Sequence, residues 1–460
     1  MLCGSTGAAQ RPAAADVRPL AYARFVLPNG LVAILNEDHA APLVAVDVWY
    51  HIGSKDDPPG KPGLAHLCEH VMSQGSPHLK QQIPAYYRSI GGTSTHWAET
   101  TEDATEYYVV VPSTQLETVL WVESDRMASP LSLADAEHLA AVRSVVAQER
   151  RQNIENLPFG VSRELTMAAL FPAGHPYHTS AAPDVGSLYA ATAPDVRSTC
   201  GPYYVANNAV IALSGDFDTR AARGLIEHYF GDIPRGRPVL RRVTTAPGFQ
   251  AEQRLVLEDP RATQPQLHLD WRGAAYADPD RQALLALAFA LAEPRFGRLS
   301  RLLVYDRQLA TAVIADNYDL EKSGVFEIAV FPRPGASMTL IEGLVDSTLA
   351  SLETSPITRQ ELARFNAANR VEAAVSLQTK FARSDTLAHD QVFTGDPVAY
   401  ARQALAASRL TPVDVRRVAR RYLTPGRVVM SLVPAGKGDL VSRPDLPYVN
   451  VTPVPASARP

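Results

Sequence analysis

Two histidines and a glutamate stand close together in the stretch His66-Leu67-Cys68-Glu69-His70. On a helix, residues i and i+4 share one face, so the two imidazoles can bind one metal ion together. Glu69 then points close to the metal without facing it directly, which is where a general base for an activated water belongs. The order H-x-x-E-H is a signature of inverted zinc peptidases. We therefore predict His66 and His70 as zinc ligands and Glu69 as a catalytic base.

The residues around this motif predict an amphipathic helix from Leu64 to Ser73. On a wheel of about 100° per residue, the three motif residues cluster on one polar side. The opposite side is apolar and carries Leu64, Leu67, Cys68, Val71 and Met72. The alternative interpretation is a solvated helix face that carries two histidines by chance.

A catalytic zinc needs a third protein ligand and an open position for water, and Glu149 is the best candidate. The segment from Ser132 to Asp135 resembles a capping box, which predicts a helix from there to about Asn156, before Pro158. Glu149 continues the apolar stripe of this helix, where a carboxylate is costly unless it is paired or metal-bound. The stripe consists of Leu139, Val142, Val145 and Val146.

Other roles for Glu149 and other ligands stay open at this point. Glu149 could instead form a buried ion pair with Arg143, Arg150 or Arg151. Weaker ligand candidates lie in the polar loop near His96, which has no periodicity; they are Glu99, Glu102 and Asp103.

The composition is that of a soluble globular protein with room for more than one core. The chain has 460 residues, of which 46% are hydrophobic and 20% are charged, so we expect two or more domains. The formal net charge is −4, and no basic cluster is interleaved with aromatic residues, which argues against nucleic-acid binding. The longest apolar run, residues 283–292, is too short to span a bilayer.

The three cysteines, Cys3, Cys68 and Cys200, do not suggest a disulfide framework. Cys68 falls on the apolar side of the motif helix, so we interpret it as a packing residue and not as a ligand or nucleophile. Leu2-Cys3-Gly4 could be the remnant of a lipoprotein cleavage site. We therefore expect a bacterial periplasm or a lipid-anchored envelope location in preference to the cytoplasm.

Hydrophobic patterns divide the chain into two halves with the same order of strands and helices, which predicts two homologous α+β domains. Asp195-Val196-Arg197 and Asp414-Val415-Arg416 each precede a tyrosine and a strand, at an offset of 219 residues, which favours a duplication. The predicted divisions are a flexible segment (1–20), a zinc-binding catalytic domain (21–235), a linker (236–250), a second domain (251–440) and a Pro-rich tail (441–460). Strands are predicted at 43–51, 106–112, 208–214, 266–271 and 325–331.

The sequence also resembles the pitrilysin/insulinase family of zinc metallopeptidases, with the size of its mitochondrial-processing-peptidase-like members. The resemblance spans residues 22–435 and rests on the segments 27–31, 53–55, 63–70, 91–93, 149–152, 175–177 and 203–208. It implies a pair of homologous α+β domains, each a mostly antiparallel sheet packed with helices. It also implies one Zn²⁺ per chain, with His66, His70 and Glu149 as ligands and Glu69 as base.

Three departures from the family pattern concern activity. Val142 stands where the family usually has a supporting glutamate, seven residues before the third ligand. The loop after Gly92 places Trp97, next to His96, near the family's substrate-contacting asparagine. Val304 and Thr311 stand where active chambers receive an arginine and a tyrosine from a second-half domain, and neither can supply those hydrogen bonds.

The resulting expectation is a zinc-dependent endopeptidase that hydrolyses peptides or unfolded segments, as the zinc-bearing subunit of a two-chain chamber. A homologous subunit, in a heterodimer or a homodimer, would supply the Arg/Tyr pair. Predicted substrate contacts are Trp97, Thr105 and Tyr107. The strand 105–111 either pairs with an extended substrate or is an ordinary internal strand. The alternative function is a non-catalytic or weakly active assembly subunit of the same family.

Overall fold

The computed structural model describes residues 17–93, 97–181, 185–242 and 251–451. These residues form two six-stranded sheets, one in each half of the chain, with helices packed on both. The strands are β1 (Ala23–Val26), β2 (Val32–Glu37), β3 (Leu43–Tyr50), β4 (Ala98–Thr100), β5 (Thr105–Pro112), β6 (Ala209–Gly215), β7 (Gln253–Asp259), β8 (Gln266–Gly273), β9 (Ala310–Asp319), β10 (Gly324–Pro332), β11 (Val428–Pro434) and β12 (Val449–Asn450). The predicted α+β class is confirmed.

Helices precede, link and cover the strands of both halves. They are α1 (Leu64–Met72), α2 (Ile83–Ser89), α3 (Leu116–Ala128), α4 (Ala136–Arg150), α5 (Ser162–Leu170), α6 (Val185–Ala190), α7 (Ala193–Cys200), α8 (Thr219–Phe230), α9 (Arg281–Ala292), α10 (Arg298–Ser300), α11 (Met338–Ser351), α12 (Arg359–Ser376), α13 (Lys380–Thr394), α14 (Ala399–Ser408) and α15 (Pro412–Tyr422). Two of them continue as π-helical turns, α4 over Arg151–Glu155 and α10 over Arg301–Asp306.

The two sheets share a strand order, as a duplication requires. The first sheet runs β1-β2-β6-β3-β5-β4, and β2 is parallel to β6 while the other pairs are antiparallel. The second runs β12-β7-β11-β8-β10-β9, with β7 parallel to β11 and to β12. In the first sheet β6 lies next to β2, and in the second sheet β11 lies next to β7, so corresponding strands have corresponding neighbours. The outermost strand differs, since β1 is antiparallel to its neighbour and β12 is parallel.

The repeated Asp-Val-Arg triplet has a structural reason. In both halves its aspartate is the third residue of a helix and forms a capping box with a threonine, Thr192 with Asp195 and Thr411 with Asp414. The threonine hydroxyl accepts from the aspartate N–H, and the carboxylate accepts from the threonine N–H at 2.9 Å in each copy. The box satisfies helix N–H groups that would otherwise lack partners. It fixes where α7 and α15 begin, just before β6 and β11.

Each half covers the sheet of the other half with one helix. Leu387 and Ala388 of α13 pack on the first sheet, against Ile34, Trp49 and Val210. Met167 and Leu170 of α5 pack on the second sheet, against β7 and β11. The remaining face of each sheet packs on helices of its own half. Both faces of both sheets are therefore buried, and the two halves hold each other in place.

The structure corrects the interpretation of the cysteines. Cys68 is fully buried, as predicted, but it is bonded to Cys200, 132 residues later. The bond joins the helix that carries the histidine motif, α1, to α7. Sequence spacing alone does not reveal a pair so far apart, because only the fold brings the two helices together.

Some residues at the ends of the predicted divisions are packed. Leu20 donates its N–H to the Tyr400 hydroxyl at 2.7 Å and packs beside Trp49. Val449–Asn450, within the predicted tail, pairs with β7 as a short strand. Residues 1–16, 243–250 and 452–460 of the predicted segment, linker and tail lie outside the described residues. No helix of the described chain is long and apolar enough to cross a membrane.

Replacing Cys68 and Cys200 together by alanine should lower the free energy of unfolding by about 2–4 kcal/mol, because the bond restricts the unfolded chain. Urea denaturation with and without a reductant measures this. The reductant should destabilise the natural protein and leave the double variant unchanged. Thiol titration of the denatured, unreduced protein should find one free cysteine, Cys3, and a count of three would contradict the bond.

Candidate metal centre

Helix α1 begins at a sharp turn that the sequence specifies. Gly63 has φ 87° and ψ 8°, in the left-handed region that glycine tolerates and other residues rarely adopt. The Asp57 carboxylate accepts the N–H of Gly63 at 2.6 Å and of Ala65 at 2.9 Å, so it binds N–H groups of the first turn. Burial raises the pKa of Asp57 to about 7, against the lowering effect of these hydrogen bonds. The turn and the carboxylate fix the direction in which α1 leaves the loop.

The two histidines of α1 face the same point, as their spacing predicts. Their Nε2 atoms are 3.2 Å apart, and each imidazole is mostly buried. The opposite side of α1 is in the core of the first half and includes Leu64, Leu67, Cys68, Val71 and Met72. The alternative of a solvated helix face is therefore excluded by the packing.

Glu149 reaches the same point from the last turn of α4. Its Oε2 lies 3.6 Å from Nε2 of His66 and 3.2 Å from Nε2 of His70. The three arginines considered as partners bind elsewhere: Arg150 pairs with Glu155 and Glu164, Arg143 with the carbonyl of Ala191, and Arg151 with Gln148. The structure thus places Glu149 with the histidines and not with an arginine.

Two details of the reasoning that selected Glu149 need correction. The helix begins after Asp135, whose side chain caps it, and not at Ser132. Val145 is exposed, so of the four residues predicted for the stripe only Leu139, Val142 and Val146 are buried. Glu149 is consequently half-buried, at the rim of the stripe, which lets its carboxylate leave the core and reach α1.

The three converging atoms fit a tetrahedral zinc ion. Ligands at about 2.0–2.1 Å from a tetrahedral zinc lie about 3.4 Å from one another. The separations here are 3.2, 3.2 and 3.6 Å. Two imidazole nitrogens and one carboxylate oxygen are also the donor types of catalytic zinc sites, in which the fourth position is left for water. The Nδ1 of His66 is buried without a hydrogen-bond partner in the described part of the chain.

The electrostatics of the cluster favour a cation. Burial acts to lower the pKa of His70, but the hydrogen bond to Glu149 and the charge of Glu69 raise it above its ordinary value. Burial acts to raise the pKa of Glu149, yet hydrogen bonds from both histidines hold it well below its usual range. Glu149 is therefore ionised, and two carboxylates face the pair of imidazoles.

Glu69 is buried beside the histidines and is held by a residue that sequence reasoning missed. The Thr100 hydroxyl donates to Oε2 of Glu69 at 2.6 Å. Thr100 also lies 3.2 Å from the Thr105 hydroxyl, which in turn donates to the carbonyl of Ile52. The Thr100 hydrogen bond thus ties Glu69 to β4, and the Thr105 hydroxyl beside it is bound separately to the Ile52 carbonyl. Thr100 follows Glu69 by 31 residues, so no local sequence pattern could have identified this contact.

The three predicted substrate contacts differ in whether their side chains are exposed. Trp97 is partly exposed, with Arg88 over its ring at 5.5 Å. Thr105 and Tyr107 are buried, at 0% and 1% exposure, and Tyr107 bonds to the Tyr204 hydroxyl, so their side chains cannot contact a substrate. The strand 105–111 is not open for pairing here, because β5 lies between β3 and β4. The edge strand on this side of the sheet is β4. His96 lies outside the described residues.

The other sequence departures occupy ordinary packing positions. Val142 is fully buried in the core of the first half. Val304 packs at the margin of the second core, and Thr311 donates its hydroxyl to the carbonyl of Phe331 at 3.1 Å. Among the loop carboxylates, Asp103 accepts from the Tyr177 hydroxyl, and Glu102 lies near Arg163 and Tyr318. Asp103 also accepts the N–H of Glu321, so both Asp103 and Glu102 contact the second half.

A fold of two such halves, with an H-x-x-E-H helix and a glutamate completing the donor set, defines a zinc-metallopeptidase type of protein. The family model described as Insulinase (Peptidase family M16) matches residues 32–179. The model described as Peptidase M16 inactive domain matches residues 190–368. The chain belongs to the pitrilysin/insulinase family.

Relatives across this family are named as proteases. The chain is 25% identical to the zinc protease PqqE of Helicobacter pylori over 362 residues, 77% of this chain and 79% of PqqE. It is 23% identical to the uncharacterized zinc protease YmxG of Bacillus subtilis over 422 residues, 90% of this chain and 98% of YmxG.

Solved structures show the same fold. A protease from Helicobacter pylori superposes with a TM-score of 0.82 at 23% identity, covering 91% of this chain and 100% of that protein. The periplasmic protease PqqL from Escherichia coli superposes with a TM-score of 0.74 at 16% identity, covering 90% of this chain and 47% of PqqL. The present chain thus corresponds to one half of PqqL.

Replacing Glu149 by glutamine should weaken zinc binding by more than about 100-fold, because a neutral amide oxygen replaces an anionic ligand. Competition with a zinc chelator measures the affinity, and elemental analysis measures zinc per chain. Glu137→Gln, on the exposed side of the same helix, is the matched control and should bind zinc as the natural protein does. An unchanged affinity in Glu149→Gln would remove Glu149 from the metal centre.

Proposed function

We propose that this protein is a zinc-dependent endopeptidase that hydrolyses peptides or unfolded segments, with one Zn²⁺ per chain. The observation that carries this proposal is the convergence of Nε2 of His66, Nε2 of His70 and Oε2 of Glu149 within 3.6 Å, next to the buried carboxylate of Glu69. His66, His70 and Glu149 would hold the ion. Bound zinc would act as a Lewis acid and lower the pKa of a coordinated water.

Glu69 is the proposed general base. Its Oε2 is held by the Thr100 hydroxyl, which leaves the other carboxylate oxygen to accept a proton from the attacking water and later to return it to the leaving amine. The hydrogen bond from Thr100 restrains the carboxylate from rotating away, and Thr105, whose hydroxyl is bound to the Ile52 carbonyl, lies beside Thr100. Thr100 is therefore a positioning residue for Glu69.

The edge strand β4 is the proposed guide for the substrate. Within the described residues, β4 pairs with β5 on one side and with no strand on the other. An extended peptide can add to such an edge through backbone hydrogen bonds, which tolerates varied side chains. Because Thr100 lies on β4 and contacts Glu69, a peptide on this edge would pass beside the base. Trp97, at the start of the same segment, would then contact a substrate side chain.

The site is proposed to be completed by a second, homologous chain. Val304 and Thr311 offer neither a charged nor a phenolic donor, and the hydroxyl of Thr311 is already used by Phe331. A chain that corresponds to half of PqqL leaves room for a second half. A heterodimer partner, or a second copy in a homodimer, would face the metal centre, and a heterodimer partner would supply the Arg/Tyr pair.

A location in the periplasm or anchored in the bacterial envelope is proposed from the cysteines. Disulfide bonds persist in oxidising compartments and are rare in the cytosol. The Cys68–Cys200 bond links the motif helix to α7 and therefore favours such a compartment. PqqL, to which the chain is similar in fold, is described as periplasmic.

Replacing Glu69 by glutamine should leave zinc bound and lower peptide turnover by about 10²–10⁴-fold, because the amide cannot accept the proton. A quenched fluorescent peptide measures turnover, and elemental analysis measures zinc. Glu117→Gln, on the surface of α3, is a control that should keep full activity. Unchanged turnover in Glu69→Gln would eliminate Glu69 as the base.

Mixing the protein with a homologue that lacks the histidine motif but carries the Arg/Tyr pair should raise turnover by about 10-fold or more, since a missing transition-state donor typically costs that much or more. The same assay applies, and the mixture made with Glu69→Gln should stay inactive. Full activity of the isolated chain would contradict the need for a partner. No activity in either case, and no bound zinc, would instead support an assembly role.

A further inference from the structure

A second group of metal-ligating side chains lies between the first sheet and α13. Asp47 is on β3, Glu106 is on β5 and Asp385 is on α13, so the group includes both halves of the chain. One carboxylate oxygen from each residue lies within 4.8 Å of the others. Asp47 and Glu106 share the sheet face that α13 covers, because Asp47 pairs with Tyr108 and Glu106 pairs with Trp49 across β3 and β5. The cluster thus forms where the second half docks on the first.

The Asp47 carboxylate is buried, and the indole N–H of Trp49 faces it without forming a hydrogen bond of standard geometry. Asp47 is 0% exposed, and neither of its oxygens has a hydrogen bond of standard geometry. One carboxylate oxygen of Glu106, Oε2, is likewise buried without a hydrogen bond of standard geometry. The surrounding contacts are apolar and come from Ile34, Trp49, Ala104, Val210, Ala212, Leu387 and Ala388. An ionised carboxylate in such surroundings is strongly unfavourable, so Asp47 must bind either a proton or a cation.

The described part of the chain places little positive charge at the cluster. Among the described residues, no lysine or arginine pairs with Asp47, Glu106 or Asp385. The titratable groups that face the three are mostly acidic, and only one is basic: Glu69, Glu99, Glu123 and Asp390, with His389. Glu99 stands directly opposite Glu106 on β4, at the exposed sheet edge. Carboxylates directly opposite each other repel when both are ionised, which adds to the cost of ionising Glu106.

The second sheet provides a comparison within the same chain. Its central strands also carry a carboxylate pair, Asp270 and Glu327, on the face that α5 covers. There the covering helix supplies a hydroxyl, and Thr166 donates to Asp270 at 3.1 Å. His268 lies 3.9 Å from Glu327. In the first sheet the covering helix supplies a third carboxylate instead, which cannot donate a hydrogen bond when ionised.

The carboxylates of the cluster hold protons more tightly than ordinary carboxylates do, so a cation must displace protons in order to bind. Burial raises the pKa of Asp385 to about 6, and burial together with the neighbouring carboxylates raises the pKa values of Asp47 and Glu106 well above their ordinary range. A raised carboxylate pKa favours the folded state at low pH, and that contribution is lost as the pH rises through about 6. Without a cation the contact between the halves should therefore weaken towards neutral pH.

We propose that Asp47, Glu106 and Asp385 bind a hard divalent cation, Ca²⁺ in the first place, which joins the two halves of the chain. Calcium takes oxygen ligands at about 2.3–2.6 Å, so oxygens on opposite sides of the ion lie up to about 5 Å apart, which accommodates the spacing here. Three carboxylates that bind through one or both oxygens supply three to six ligands. The all-oxygen set distinguishes this site from the imidazole-containing zinc centre, and its occupancy does not depend on catalysis.

Terbium luminescence tests this proposal directly, because Tb³⁺ replaces Ca²⁺ and is sensitised by a nearby tryptophan. Trp49 shares the sheet face of Asp47 and is the cross-strand neighbour of Glu106. In the zinc-loaded protein, Tb³⁺ should give saturable emission that Ca²⁺ displaces. Asp385→Asn should weaken Tb³⁺ binding by about 10-fold or more, since affinity follows the number of charged ligands. Trp49→Phe should remove most of the emission and keep Ca²⁺ binding.

Thermal unfolding gives the second readout and the matched control. Ca²⁺ at about 100 times its dissociation constant should raise the midpoint by about 3 °C in the natural protein and in inactive Glu69→Gln. Asp47→Asn and Asp385→Asn should lose this rise. Asp270→Asn removes an equally buried carboxylate from the second sheet. This variant should still show the rise of the midpoint with Ca²⁺. The asparagine variants retain the shape of the side chain and remove repulsion, so they should fold.

Two results would overturn the proposal. One is an equal Ca²⁺ response in the natural protein and Asp385→Asn, which would place the bound ion elsewhere. The other is a natural protein that binds neither Ca²⁺ nor Tb³⁺ while its stability rises as the pH falls below 6, which would assign the cluster to shared protons. If Mg²⁺ stabilised the protein and Ca²⁺ did not, the assignment of the site to Ca²⁺ would be wrong.

Discussion

Both sheets of this protein have two faces to bury, and the helices of one half cover only one of them. The chain meets this constraint by exchange: α13 of the second half covers the first sheet, and α5 of the first half covers the second. Because apolar burial is the main favourable contribution to folding, neither half can expose its second face without a large loss of stability. The two halves are thus interdependent, although each has its own sheet and core.

This exchange also determines which side of the first sheet can carry chemistry. With α13 on one face, the metal centre is built on the other side from α1 and α4 and at the edge by β4. A buried ionic network reinforces the junction between the halves: Lys55 lies 3.2 Å from Asp103 and 3.0 Å from Glu321, and the Tyr177 hydroxyl donates to Asp103. The loop that carries Asp103 connects β4 to β5, so the junction and the strand that holds Glu69 through Thr100 are continuous. Rigid docking of the halves therefore contributes to the placement of the proposed base.

The sequence predicted what depends on local periodicity and missed what depends on distant contacts. His66 and His70 could be placed together from their spacing, and hydrophobic patterns predicted that strands and helices follow each other in the same order in the two halves, but not the order of the strands within each sheet. Glu149 was selected from a stripe that is narrower than expected, since Val145 is exposed, and its position at the rim is what frees its carboxylate. The Cys68–Cys200 bond, the Thr100 contact and the Asp47 cluster each join residues 31 to 338 positions apart. No local pattern encodes such pairs, so they required the fold.

Only the first half carries the zinc motif, and the two corresponding helices, α1 and α9, are held in place differently. Helix α9 occupies in the second half the place of α1 in the first, since α9 contacts α15 as α1 contacts α7. Its sequence, Arg281–Ala292, contains no histidine, aspartate or glutamate and is almost entirely buried in the second core. A helix that gives one face to polar ligands loses apolar packing, and α1 is instead fastened to α7 by the disulfide. The corresponding α9–α15 contact relies on apolar packing and on Arg417 and Arg421 bound to Asp280, at the start of α9. Helix α1, which has a polar face, is thus restrained by a covalent bond, whereas α9 is held by apolar packing and by ion pairs at its start.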